Sequence, residues 1–96
     1  MVFELLFQTI DPARRHEYPA AYSKALARAA FEGCHGGRLL LDENDPSGVV
    51  VLLEWDSAQH HERVMGTPAH TEFLKTIRAF AIAPRGHFSN YVAHKV

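Results

Sequence analysis

The chain predicts an α+β domain of the split βαβ, ferredoxin-like plan: a four-stranded antiparallel sheet with two helices on one face. Three observations carry that reading. Residues 2–10 and 49–55 are apolar runs of strand length, rich in Phe, Leu, Ile and Val. Two longer stretches repeat their apolar residues at helical spacing. Turn-forming clusters separate these segments, giving the order strand, helix, strand, strand, helix, strand.

At 96 residues the chain is expected to be one domain, residues 1–96. Hydrophobic residues make up 47% of it, ample for so small a core, so part of that surface is expected to be covered by a second copy. Net charge is −1, and Arg14-Arg15 is the only adjacent basic pair. That pattern excludes a nucleic-acid groove and an anionic-membrane patch. One cysteine, Cys34, permits no internal disulfide. No apolar run reaches membrane-spanning length, and the first residues lack the basic flank and cleavage site of a signal peptide. A cytoplasmic location is the expectation.

In the first strand, residues 2–10, Phe3, Leu5 and Phe7 share one face. Val2, Leu6 and Ile10 share the other, with Glu4 and Gln8 among them. Both faces carry apolar residues, so both are expected to be covered. Asp11-Pro12 starts a helix over residues 11–31, with Asp11 as its cap. Tyr18, Tyr22, Ala25, Leu26 and Ala29 form its inner stripe. Pro19 predicts a kink in the first turns, and Gly33 a stop. Residues 34–37 read as a loop and 38–43 as the second strand. Residues 44–48, Asn-Asp-Pro-Ser-Gly, form a turn into the third strand, which closes at Trp55.

Ser57 caps the second helix, whose inner stripe is Ala58, His61, Val64 and Met65, with His60, Glu62 and Arg63 outward. Gly66-Thr67-Pro68 divides it, because Thr67 suits a new cap and Pro68 a new first turn. His70, Phe73, Leu74, Ile77 and Phe80 make the stripe beyond the break. Residues 83–86 read as a turn, and 87–94 as the last strand.

Several side chains are suited to chemistry. His61, on an apolar stripe facing the Trp55 strand, is a candidate general base, because imidazole titrates near neutrality. Packed histidine is the competing reading. His70 is a second candidate. Trp55 could wall an aromatic pocket, with its indole N–H as a donor, or simply fill the core. Tyr18 and Tyr22 are core residues or pocket hydroxyls. Glu4 reads as a rim or interface charge, and Cys34 as an inert thiol. Seven histidines form no His-x-x-x-His or Cys-x-x-Cys set, so no metal site is expected. Gly36-Gly37 precedes a strand rather than a helix, so it is no phosphate loop.

The run VLLEWDSAQHHERVMGTPAHTEF, with the strand order around it, resembles the antibiotic biosynthesis monooxygenase family of the dimeric α+β barrel proteins. Glu54-Trp55, Ser57, His61, Thr67-Pro68 and Phe73 carry the resemblance. Glu32-Gly33 before the second strand and Pro84 before the last also fit. The resemblance implies a homodimer whose sheets close into a barrel, with a pocket between sheet and helices in each subunit. It implies a small aromatic substrate oxidised by molecular oxygen without flavin, haem or metal. Trp55 and His61, with His70, would be catalytic; Tyr18, Tyr22, Val51, Leu53 and Phe73 would meet the substrate. Two departures stand out. Quinone-forming relatives often carry Asn where this chain has Val51. Haem-degrading relatives carry an axial His where it has Met65. Alternatives of the same fold are a polyketide cyclase or isomerase, and a non-catalytic dimer that binds a small molecule.

Overall fold

A computed structural model describes residues 1–83 and 86–96. Pro84 and Arg85, in the expected turn before the last strand, lie outside the described residues. Four strands, β1 (Val2–Thr9), β2 (Cys34–Leu41), β3 (Gly48–Trp55) and β4 (His87–Tyr91), form an antiparallel sheet in the order β2-β3-β1-β4. Three helices, α1 (Tyr18–Ala29), α2 (Ala58–Val64) and α3 (Pro68–Arg78), complete the ferredoxin-like α+β fold.

Register divides the residues between two faces. Glu4 pairs with Leu53 and Asn90, and Leu6 with Val51 and Phe88. These side chains share the helix-covered face with Val49 and Trp55, because paired residues point the same way. Phe3, Leu5, Phe7, Leu40, Val50, Leu52 and Tyr91 lie on the opposite face. There Phe7, Leu40 and Tyr91 are exposed.

Asp11 caps a short 3-10 turn, Pro12–Arg14, by accepting from the Ala13 N–H. The expected kinked helix over 11–31 is therefore a turn followed by a separate helix. Pro19 stands in the first turn of α1, where its missing N–H removes no helical bond. The helix ends at Ala30 rather than Gly33. Ala30 takes a left-handed conformation, φ 48°, and donates its N–H to Leu26 O.

The expected loop at residues 34–37 is the start of β2, with a register shift between Cys34 and Gly37. Gly37 passes so close to β3 that a Cβ there would lie 1.9 Å from Leu52 O. Gly33 has φ +82°, and a Cβ would meet the His60 ring at 2.4 Å. The glycines read as loop-formers thus permit a bulged strand and its close neighbours. Beyond β2, Asp42 Oδ1 accepts from the Asn44 and Asp45 N–H groups, fixing the expected turn. β2 starts four residues earlier than expected and ends two earlier, at Leu41, whereas β4 ends at Tyr91 and is shorter than expected.

The second helix divides where the sequence indicates. Ser57 Oγ accepts from the His60 N–H, and Thr67 Oγ1 from the His70 N–H. Gly66 between them has φ +80°. The break aims α2 and α3 independently at the sheet. α2 buries His61 and Val64 and α3 buries Phe73 and Ile77, while Met65, expected inward, is exposed at the C-cap of α2.

Candidate active site

The two apolar layers do not fill the space between them. A cavity of about 640 Å³ lies over the β1 and β4 side of the sheet, beneath α2 and α3. That volume suits a small organic ligand. Its aromatic lining is Tyr22, Phe31, Trp55, Phe73 and Phe88, and its polar groups include Glu4, Gln8, His61, His70 and Arg78.

At its centre is a carboxylate. Glu4 is buried, and its Oε1 accepts from the Trp55 indole N–H at 3.0 Å. His61 Nε2 lies 3.3 Å from the same oxygen. On the other side of the ring, Nδ1 lies 3.1 Å from Asn90 Oδ1. Trp55 stacks on the imidazole at 4.8 Å and 15°, and Phe88 meets it edge-on at 5.6 Å. Four elements therefore fix one imidazole: β1 through Glu4, β3 through Trp55, α2 through its own backbone, and β4 through Asn90 and Phe88. Such a cluster is costly to bury unless its charges and donors are paired, as they are here.

Glu4 is thus not a rim or interface charge. The strand alternation places it on the covered face, and two partners distant in sequence retain it there. The Trp55 N–H is committed to Glu4, so it is not an open donor for a ligand. Phe31, Phe88 and Asn90 complete the surroundings, although sequence reasoning did not place them at the pocket.

His70 reaches the cavity from the first turn of α3, 6.0 Å from the Phe31 ring and 6.5 Å from the Phe73 ring. Burial, then the charges of His61 and Arg78, hold its pKa below the ordinary imidazole value of 6.5. Burial also pushes the Tyr22 hydroxyl well above the ordinary phenol range, aided by the Glu4 charge, so Tyr22 is a neutral donor.

Leu53, Trp55, His61, His70, Tyr22 and Phe73 all line the cavity; Tyr18 and Val51 do not. Tyr18 is fully buried against Phe80, donates its hydroxyl to Gln8 Oε1, and is likewise pushed upward by burial. Val51 is 1% exposed, between Leu6 and Leu39 in the sheet, and belongs to the core. Among the described residues, no group of three His, Cys, Asp or Glu side chains could hold a metal ion. No helix among them is long and apolar enough to cross a membrane.

Comparison with known proteins adds three results. The family model described as antibiotic biosynthesis monooxygenase matches residues 1–76. No curated protein matches the chain. Among solved structures, a mutant of SnoaB, a cofactor-independent oxygenase from Streptomyces nogalater, superposes with a TM-score of 0.75 at 17% identity. The match covers 99% of this chain and 94% of that one. A crystal structure of an antibiotic biosynthesis monooxygenase gives 0.73 at 19% identity, covering 99% and 100%. A conserved protein from Methanosarcina mazei Go1 also gives 0.73, at 12% identity, covering 94% and 89%. At these identities the structural matches establish the shared fold.

Proposed function

The chain belongs to the antibiotic biosynthesis monooxygenase family, and from that premise we propose that it is a small cofactor-independent monooxygenase acting on an aromatic, polyketide-like ring. The observation that carries the reading is the aromatic cavity with the Glu4–Trp55–His61 cluster built into its wall. SnoaB, a cofactor-independent oxygenase of the same fold, supports the same chemistry.

The reaction asks little of the protein. An electron-rich phenol or anthrone loses a proton to a base in the Glu4–His61 pair. The anion passes one electron to molecular oxygen, and the radical pair recombines at carbon. A dry aromatic pocket favours this because it holds the ring against the base and keeps bulk water from the anion. Trp55, Phe31 and Phe73 supply flat walls, and Tyr22 and His70 supply hydrogen bonds to ring oxygens.

One observation favours a second reading. The strand position where quinone-forming relatives often carry Asn is the packed residue Val51, which offers nothing to a substrate oxygen. A cyclase or isomerase would use the same proton acceptor and need no oxygen. Oxygen uptake with an anthrone or a dihydroquinone, in chelator and without added cofactor, separates the two. Uptake dependent on substrate supports the monooxygenase. Turnover without uptake supports the isomerase.

The exposed apolar face of the sheet supports a homodimer paired sheet to sheet, since Phe7, Leu40 and Tyr91 would leave water together. Sedimentation should give a dimer at micromolar concentration, and a monomer there would contradict it.

A further inference from the structure

Glu4, rather than His61, has the geometry of the proton acceptor. His61 is held at every polar position. Its Nε2 faces Glu4 and its Nδ1 faces the Asn90 amide. In its protonated form the ring donates to both. With the amide turned, a neutral ring donates to Glu4 and accepts from the Asn90 NH₂. In neither arrangement does a ring lone pair remain for a substrate, and in the third, with Nδ1–H donating to Asn90 Oδ1, the Nε2 lone pair is turned toward Glu4 Oε1 at 3.3 Å rather than toward a ligand. The two ring faces are no freer, with Trp55 stacked on the imidazole and Phe88 against it.

Glu4 is placed differently. Both neighbours meet the same oxygen, Oε1. Its Oε2 accepts no hydrogen bond among the described residues, and the residue lines the cavity. A carboxylate fixed through one oxygen and open at the other is a base already oriented.

Resting on the oxidative reading above, we propose that Glu4 is the catalytic base and His61 a positioning residue that holds it. In the step, the acidic C–H or O–H bond of the substrate breaks. Its electron pair stays on the substrate, and the proton forms an O–H bond at Glu4 Oε2. The Trp55 N–H and the His61 ring keep Oε1 in place while Oε2 takes the proton, so the base stays oriented through the step.

Proton removal can be measured without oxygen. Anaerobic exchange of deuterium from solvent into the methylene carbon of anthrone, followed by NMR, reads that step alone. Wild type should accelerate exchange over buffer. Glu4→Gln keeps an acceptor for Trp55 and should fold, yet lose the acceleration by about 100-fold or more. Glu4→Asp should retain part of it. His61→Gln should lower the saturated rate by less than about 10-fold and leave the half-saturating anthrone concentration unchanged, which a merely structural role would not do. Near-ultraviolet circular dichroism of Trp55 checks that each variant is folded. A folded Glu4→Gln that still exchanges, with His61→Gln inert, would overturn the assignment. Oxygen uptake by wild type without anaerobic exchange would overturn it too, while leaving the oxygenase reading intact. Glu4-dependent exchange without oxygen uptake would sustain the assignment and move the reading to an isomerase. Neither exchange nor uptake would overturn both.

Discussion

Strands β1 and β3 serve two regions of very different construction on one face of the same sheet. One, built from Ile10, Tyr18, Val49, Val51 and Phe80, is solid: each is at most 4% exposed. Its polar business is one bond, from the Tyr18 hydroxyl to Gln8. The other, around Glu4, Trp55, His61 and Phe88, surrounds open space with a buried carboxylate in its wall. A chain of 96 residues has little stability to spare. Leaving dispersion contacts unmade and burying a carboxylate both work against folding. The contrast teaches that the solid part maintains the sheet so that the hollow part can be kept open.

The largest test of that contrast is on the solid side. Phe80 is 4% exposed, packed on Tyr18, with the Arg14 guanidinium 4.0 Å from its ring centroid. Phe80→Ala should cost about 3–5 kcal/mol in chemical denaturation. Turnover per folded molecule should stay near wild type, because the ring is no part of the cavity lining. A variant that keeps its stability and loses turnover would erase the division between the regions.

The mirror experiment is Glu4→Gln. Its effect on stability should be about 1 kcal/mol, since the Trp55 N–H keeps an acceptor while a charge-assisted bond becomes a neutral one. Its effect on chemistry should be the loss of about 100-fold or more stated above. A stability loss of the Phe80 class would mark the cluster as structural.

A smaller effect sharpens the picture at His70. Its folded pKa lies below the ordinary 6.5, so below pH 6.5 the unfolded chain binds the proton more readily. The His70 contribution is fully present above that value and falls as pH drops from 6.5 toward the folded pKa. Melting curves across that window should be less pH-dependent in His70→Gln than in wild type. An unchanged slope would contradict a desolvated His70.

The solid region was largely legible. Tyr18 belongs to a stripe at helical spacing, and Val49 and Val51 alternate in depth with their neighbours as a covered strand must. The capped break at Gly66-Thr67-Pro68 was legible because each residue has a local reason to be there. Where local pattern misled was the one glycine pair. Gly36-Gly37 suggests a loop, whereas the contact with Leu52 that requires glycine is made across the sheet.

The hollow region was legible only by halves. Alternation placed Glu4 on the Val2 and Leu6 face, but a lone carboxylate on a strand ordinarily reaches water. What retains it is Trp55, 51 residues away, and His61 beyond. Asn90 reaches His61 across 29 residues, from a strand whose register no local pattern reveals. Tyr18 and Val51 point the right way and still miss the cavity. Face can be read from periodicity, whereas empty space depends on how three helices sit over the sheet.

The central claim is that this space receives an aromatic ring. Trp55 is the only tryptophan in the chain and lines the cavity, so its fluorescence reports directly on occupancy. Titration with a dihydroxyanthraquinone should quench it saturably at one ligand per chain and raise the melting temperature, as ligand binding to the folded state requires. Quenching that never saturates, with an unchanged melting temperature, would contradict the account.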